Sequence, residues 1–263
     1  MRYTHLLYLG ALILHATTYA HIITIKSMWE LLQYLPSQNV PTLVIFDIDN
    51  TLLHPTTDLG SDQWFSAMLE KNGATHDYHA ALHATLPLCF HVHHHIDLML
   101  TEPDLATCLQ QVETRCDHTI CLTARSPVLC EKTLKELNKN NLDFHIPEFD
   151  YVSLNLPHSS IYRRGVLFCG GNTKDVVLAE FLRAIHFAPQ MIVCVDDKES
   201  NLRLVERITQ QMNIPSILIR YAGCDDRVAA YDAAAAEKHL NAFLEKHPLL
   251  RNTLKKQGFI FDQ

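Results

Sequence analysis

The stretch Leu43-Val44-Ile45-Phe46-Asp47-Ile48-Asp49-Asn50-Thr51 decides how this chain is read. Its four opening residues are apolar, and three of them are β-branched or aromatic. A continuous apolar run of that length, stopped by an acid, fits a strand buried on both faces, as in a parallel sheet. Two carboxylates at i and i+2 then stand just past the strand's carboxyl end, where open α/β sheets bind ligands. On its own Asp-x-Asp is equally good as a turn or a helix cap.

Three more strand ends change that balance. The apolar run Thr119 to Thr123 leads into Thr123-Ala124-Arg125, which sets a hydroxyl and a cation on the same edge. Gly170-Gly171-Asn172-Thr173 opens an amphipathic helix, Thr173 to Ile185, with Lys174 in its first turn, where free backbone N–H groups favour an anion. Met191 to Val195 is a strand ending in Asp196-Asp197. Two acid pairs, a hydroxyl and a lysine at strand ends suit a hard cation together with a phosphoryl group.

Between these strands the pattern alternates with helices, which argues for a parallel sheet covered on its faces. Helices are expected at Ser61 to Lys71, Ala80 to Leu86, Pro103 to Glu113, Pro127 to Leu137 and Asn201 to Met212. Further strand segments are expected at Asp150 to Leu154, Gly165 to Phe168 and Ser216 to Arg220. An Ala-rich helix, Ala229 to Lys246, closes the domain, and the tail to Gln263 is indistinct. The stretch from about Pro55 to Glu102 is too long for an ordinary connection and reads as an insertion over one end of the sheet. Trp64 and Phe65 within it face either a pocket or, at helical spacing with Met68, a core.

Arg2, the uncharged apolar run Leu6 to Leu14 and the small residue Ala20 have the layout of a secretory signal peptide, residues 1–20, cleaved after Ala20. The rival reading is an uncleaved anchor. No other segment is long and apolar enough to span a bilayer. With 48% hydrophobic residues the rest can bury a proper core. A net charge of -7, with only 22 Lys and Arg and no basic run, excludes nucleic acid as a partner. Of the eight cysteines, Cys121, Cys169 and Cys194 sit in apolar strand runs as small hydrophobes, while Cys89, Cys108, Cys116 and Cys130 are free to pair in an oxidising compartment. Seventeen histidines invite a zinc reading: His91, His93, His94 and His95 cluster, and His76, His79 and His83 share one helical face. The bland reading is a polar insertion in a His-rich chain without Cys-His spacing.

Taken together, the four motifs resemble those of the haloacid dehalogenase-like superfamily, phosphatase side, from Leu43 to about Arg220. The runs Gly60-Ser61-Asp62-Gln63-Trp64-Phe65 and Thr123-Ala124-Arg125-Ser126 are also similar to an uncharacterised group of exported bacterial members. The resemblance implies a Rossmann-like three-layer α/β sandwich with a central parallel sheet and a small helical cap at about residues 55–102, within a domain spanning residues 21–263. It implies an exported, Mg²⁺-dependent phosphomonoester hydrolase with Asp47 as nucleophile and Asp49 as general acid and then base. Thr123 and Lys174 bind the phosphoryl oxygens, and Arg125 binds phosphate or substrate or else pairs with a carboxylate. Asp47, the Asp49 backbone carbonyl and Asp196 hold Mg²⁺, with Asp197 helping from behind the metal or by orienting Lys174. The second Asp separates this site from carbon–halogen cleavage, whose leaving group needs no proton. The alternatives are an exported binding protein that has kept the fold without useful turnover, and a phosphotransferase or mutase. A small cap leads one to expect an open site that admits large phosphorylated substrates. Substrate identity and oligomeric state are open, and no stable membrane insertion is expected once the leader is removed.

Overall fold

The computed structural model describes residues 22–37, 40–73 and 75–256, so the expected leader at 1–20 lies outside the described residues. Among them an eight-stranded sheet runs in the order β1 (Ile23–Ile25), β10 (Ser216–Tyr221), β9 (Met191–Asp196), β2 (Thr42–Phe46), β5 (His118–Thr123), β8 (Val166–Phe168), β7 (Ile161–Arg163), β6 (Tyr151–Ser153). The first six are parallel, and β8, β7 and β6 form an antiparallel meander at one edge. The fold is the expected α/β sandwich of Rossmann type. The sheet is mixed because β7, which the two expected strand segments at Asp150 to Leu154 and Gly165 to Phe168 did not include, pairs antiparallel with both β6 and β8.

Alternation along each strand builds the two faces. Leu43 and Ile45 of β2, with Ile120 and Leu122 of β5, pack under α5 (Lys174–Ala184) and α6 (Glu199–Gln211) through Val177, Phe181, Leu202 and Val205. Val44, Phe46 and Cys121 point the other way, against α3 (Leu105–Glu113) and α4 (Cys130–Lys139). Glu102 ties down the N-terminal turn on that second face. Its carboxylate accepts hydrogen bonds from Ser27 Oγ at 2.7 Å, Met28 N at 2.6 Å and Tyr221 Oη at 2.9 Å. That anchor makes β1 and the fully buried Met28 and Leu31 part of the core, a stretch in which no element was expected from the sequence.

The insertion leaves the sheet through a two-stranded stem, β3 (Leu53–Pro55) antiparallel to β4 (Leu98–Leu100). It carries α1 (Asp62–Lys71), capped by Ser61 Oγ on Trp64 N, and α2 (Tyr78–His95). The second helix was expected to stop at Leu86, before Pro87, yet it runs on to His95. Proline inside a helix costs roughly 3 kcal/mol, and burial of Leu88, Cys89 and Val92 just beyond it offsets the loss. His76 precedes the helix, so the expected His76, His79, His83 face does not form.

The C-terminus departs most from expectation. The single closing helix is three: α7 (Asp225–Ala229), α8 (Ala233–Lys246), capped by Asp232, and α9 (Pro248–Lys256) in the supposedly indistinct tail. Ala236, Leu240, Leu244 and Leu254 from this end form a third core with Trp64, Met68, Leu88 and Val92 of the insertion. Trp64 is therefore core, and the insertion shares that core with a separate, C-terminal part of the chain. Among the described residues no helix is long and apolar enough to cross a membrane.

All eight cysteines are free, so the pairings open to Cys89, Cys108, Cys116 and Cys130 are not made. Burial pushes the thiols of Cys89, Cys108, Cys116 and Cys169 up to about 12. Only thiolate reacts with alkylating agents, so at pH 8 the reactive fraction is on the order of 10⁻⁴ at such sites against about a quarter for a free thiol. Native protein at pH 8 is expected to alkylate slowly, and denatured protein to yield eight thiols rapidly, as counted by mass. For the third core, Leu240→Ala is expected to cost about 2–5 kcal/mol and to speed hydrogen exchange in α1 and α2 as well as in α8.

Candidate active site

Past Phe46 the chain turns tightly. The Ile48 carbonyl accepts from the backbone N–H groups of Thr51, Leu52 and Leu53, and Asn50 adopts the left-handed conformation at φ 59° that Asn tolerates. Asp47 N donates to Val195 O at 2.9 Å, so Asp47 lies beside the end of β9. Asp47 and Asp49 thereby leave the same turn in different directions.

Lys174 arrives from the opposite side. The loop after β8 places Gly170 at φ 57°, where a Cβ would stand 2.0 Å from the Ser159 carbonyl oxygen; only glycine fits. Asn172 Nδ2 donates to His158 O and Ser160 Oγ, fixing the loop before helix α5 begins. Lys174 Nζ then lies 2.6 Å from Asp47 Oδ1 and 2.6 Å from Asp196 Oδ2, with all three side chains buried. Burial opposes its charge, but Asp196 and Asp47 outweigh that and hold the ammonium protonated, well above the usual lysine range. Burial pushes the Asp47 carboxyl well above the usual range against the pull of Lys174, and Asp196, Asp197 and Asp49 add to the rise.

One oxygen each from Asp47, Asp196 and Asp197 lies within 4.8 Å of the others. Three carboxylate donors around one point fit a hard divalent cation of the Mg²⁺ or Ca²⁺ kind. Asp197 is pushed up to about 7 by burial and then by Asp196. Its backbone N–H donates to Thr51 Oγ at 3.1 Å, and Asn50 Nδ2 reaches its carboxylate at 3.5 Å. Asp196 Oδ1 is held by Lys198 N at 2.9 Å and Asn201 Nδ2 at 3.0 Å. Lys174 contacts Asp47 and Asp196, and no Lys174 contact to Asp197 is seen among the described residues.

The Asp49 carboxylate stands apart from that cluster. Arg125 grips it bidentately, Nε to Oδ2 at 2.9 Å and Nη2 to Oδ1 at 2.7 Å, and Arg125 Nη1 also donates to Thr133 Oγ at 3.0 Å. Burial alone would raise the Asp49 carboxyl, but the Arg125 charge and its hydrogen bonds outweigh burial and hold it below the usual range. Thr123, buried at the end of β5, accepts from Arg125 N at 3.2 Å. Of the His91 to His95 cluster only His93 approaches this pair; burial and then Arg125 push it down to about 4.

Sequence reasoning gave no role to Asn50, Thr51 or Asn201, and it placed Lys198, which follows the second acid pair, behind Lys174; Lys198 pairs with Asp62 at the start of the insertion. The only signal for Asn50 was a residue tolerant of positive φ after an Asp-x-Asp strand end. The expected open mouth is not found: Asp47 is 7% exposed and Lys174 4%.

The family described as "Protein of unknown function (DUF2608)" matches residues 24–254, and the chain belongs to it. Proteins named "Putative outer membrane protein" are similar to it. One from Chlamydia trachomatis serovar D is 25% identical over 202 residues, 76% of this chain and 77% of that protein. One from Chlamydia muridarum is 26% identical over 204 residues, 76% and 77% of the two chains. Among solved structures, a haloacid dehalogenase-like family hydrolase from Streptococcus pneumoniae aligns over 72% of this chain and 98% of its own, with a TM-score of 0.43 and 12% identity. At that distance nothing of its chemistry transfers.

Removing the buried cation leaves the acids uncompensated. Lys174→Met is expected to cost about 3–5 kcal/mol in chelator, read by denaturant unfolding. Part of that loss is expected to return with excess Mg²⁺, which can take over the carboxylates.

Proposed function

We propose that the chain is an exported, Mg²⁺-dependent phosphomonoester hydrolase working through a phospho-aspartate on Asp47. The observation that carries this reading is the buried Lys174 shared between Asp47 and Asp196, with Asp197 alongside, at the carboxyl ends of parallel strands. The order of the four motifs, which resembles the haloacid dehalogenase-like phosphatases, supports it. Export is supported by the leader-like residues 1–20 and by the names of the chlamydial relatives.

In this reading Asp47 Oδ attacks phosphorus, forming the O–P bond as the ester O–P bond breaks. Lys174 and Thr123 bind the phosphoryl oxygens and lower the repulsion between nucleophile and substrate. Asp47, Asp196, Asp197 and the Asp49 carbonyl hold the cation, which when bound neutralises charge on the transferring group. Asp49 gives a proton to the leaving oxygen and later takes one from the water that hydrolyses the acyl phosphate. A carboxylate gripped by Arg125 cannot donate a proton. Arg125 therefore turns from Asp49 to the incoming phosphate, which frees Asp49 to be protonated. Asp47 is buried, so the structure around it must open for substrate to reach it.

The Asp49–Arg125 pair also favours a second reading, a binding protein that keeps the pair closed and does not turn over. Phosphate release from sugar, nucleotide, lipid and phosphopeptide esters, with Mg²⁺ or chelator, separates the two. Metal-dependent release that disappears in Asp47→Asn is expected, and Asp49→Asn is expected to lower kcat by about 10²–10⁴. No release from any ester by folded, metal-bound protein would favour the binding protein, and transfer to an added alcohol in place of water would favour a phosphotransferase.

A further inference from the structure

We propose that His91, His95 and His247 form a site for an imidazole-binding transition metal, Zn²⁺ foremost, that staples α2 to the corner between α8 and α9. The site lies away from the carboxylate cluster and rests on none of the phosphatase chemistry.

His91 and His95 are four residues apart on α2 and share one exposed side of it, the spacing at which two side chains of one helix reach a common ligand. His95 Nδ1 lies 2.7 Å from the His91 carbonyl oxygen. A carbonyl can only accept, so Nδ1 is the donor, and in the neutral ring the free lone pair is then on Nε2. Metal-ligating histidines are typically oriented in this way, one ring nitrogen donating to a backbone carbonyl while the other faces the ion. His247 ends α8, and its ring centroid is 4.6 Å from that of His95. Phe243 lies against both rings, at 5.5 Å and 4.5 Å.

Burial and then the neighbouring His95, His94 and His247 hold the His91 imidazole below the usual histidine range, so it is neutral and able to ligate near pH 7. Three imidazole nitrogens suit Zn²⁺, Ni²⁺ or Cu²⁺ and disfavour Mg²⁺ and Ca²⁺. The three donor atoms do not all lie within 4.8 Å of one another as the rings stand. Zn–N bonds are roughly 2.0–2.1 Å, so rotation of the exposed His91 and His95 and the half-buried His247 must draw the rings together, with water completing the tetrahedron. The bound ion joins the insertion to the C-terminal helices at the margin of the third core.

The test is calorimetric titration of the full chain with Zn²⁺ alone, in buffer saturated with Mg²⁺. One zinc per chain is expected that His91→Ala, His95→Ala and His247→Ala each weaken about tenfold or more, while His79→Ala and Asp196→Asn leave it in place. Hydrogen exchange is expected to slow on zinc addition at the C-terminal turn of α2 and at the α8–α9 corner together. Unchanged zinc binding in the His91→Ala, His247→Ala double variant overturns the proposal. So does zinc binding lost only with Asp196→Asn, or a wild-type chain that takes up no zinc. His95→Gln, which keeps the volume and removes the imidazole ligand, stands in should an alanine variant fold poorly.

Discussion

A single ammonium, Lys174 Nζ, lies 2.6 Å from each of two buried carboxylates that would otherwise repel one another at the end of the central strands. The surrounding architecture serves that contact. The left-handed Asn50 turns Asp47 toward β9, the glycine loop after β8 lets helix α5 begin at Lys174, and Lys198 N and Asn201 fix the other oxygen of Asp196. With Asp197 included, three acids face one buried cation. A buried charge excess of that kind is costly unless protons or a metal ion relieve it, which is why the same geometry holds the protein together and suits a divalent cation.

The Asp49–Arg125 pair gives the carboxyl edge a second, separate charge balance. Arg125 is rooted in α4 through Thr133. Lys132, the residue before Thr133, donates to the Ile96 carbonyl at the end of α2. Arg125 thus belongs to a polar seam between the core and the cap. Moving it off Asp49 and moving the cap are mechanically related, because both disturb the join of α2 and α4.

Much of this could be read from residues alone. Apolar runs ending in acid gave β2 and β9, and the glycine pair ahead of Lys174 gave the start of α5, because local chemistry alone marks those features. Asp47, Thr123, Lys174, Asp196 and Asp197 could be named as candidates for the same reason, each standing at a strand or helix end. That Arg125 pairs with a carboxylate was one of its two expected roles, but no local pattern names Asp49, 76 residues away, as the partner. Helix α2 running through Pro87 is likewise a tertiary result, since Leu88, Cys89 and Val92 find partners in a core shared with α1 and α8, which makes the proline tolerable. The Ala-rich run Ala233 to Ala236 announced a helix but not its partner, since helical propensity says nothing about which surface a helix will cover.

The split origin of the third core bears on the order in which the protein can form. As the chain emerges from the ribosome, the sheet strands from β2 onward can pair as each is made. The insertion, however, covers Trp64, Met68, Leu88 and Val92 only in part, by packing α1 on α2, until α8 has been synthesised. Some 140 residues separate Val92 from Ala236, so an apolar surface stays exposed through more than half of synthesis. Exposure of that sort invites misassociation. A nascent chain of this design depends on a chaperone, or on rapid completion, to bring its last helices home.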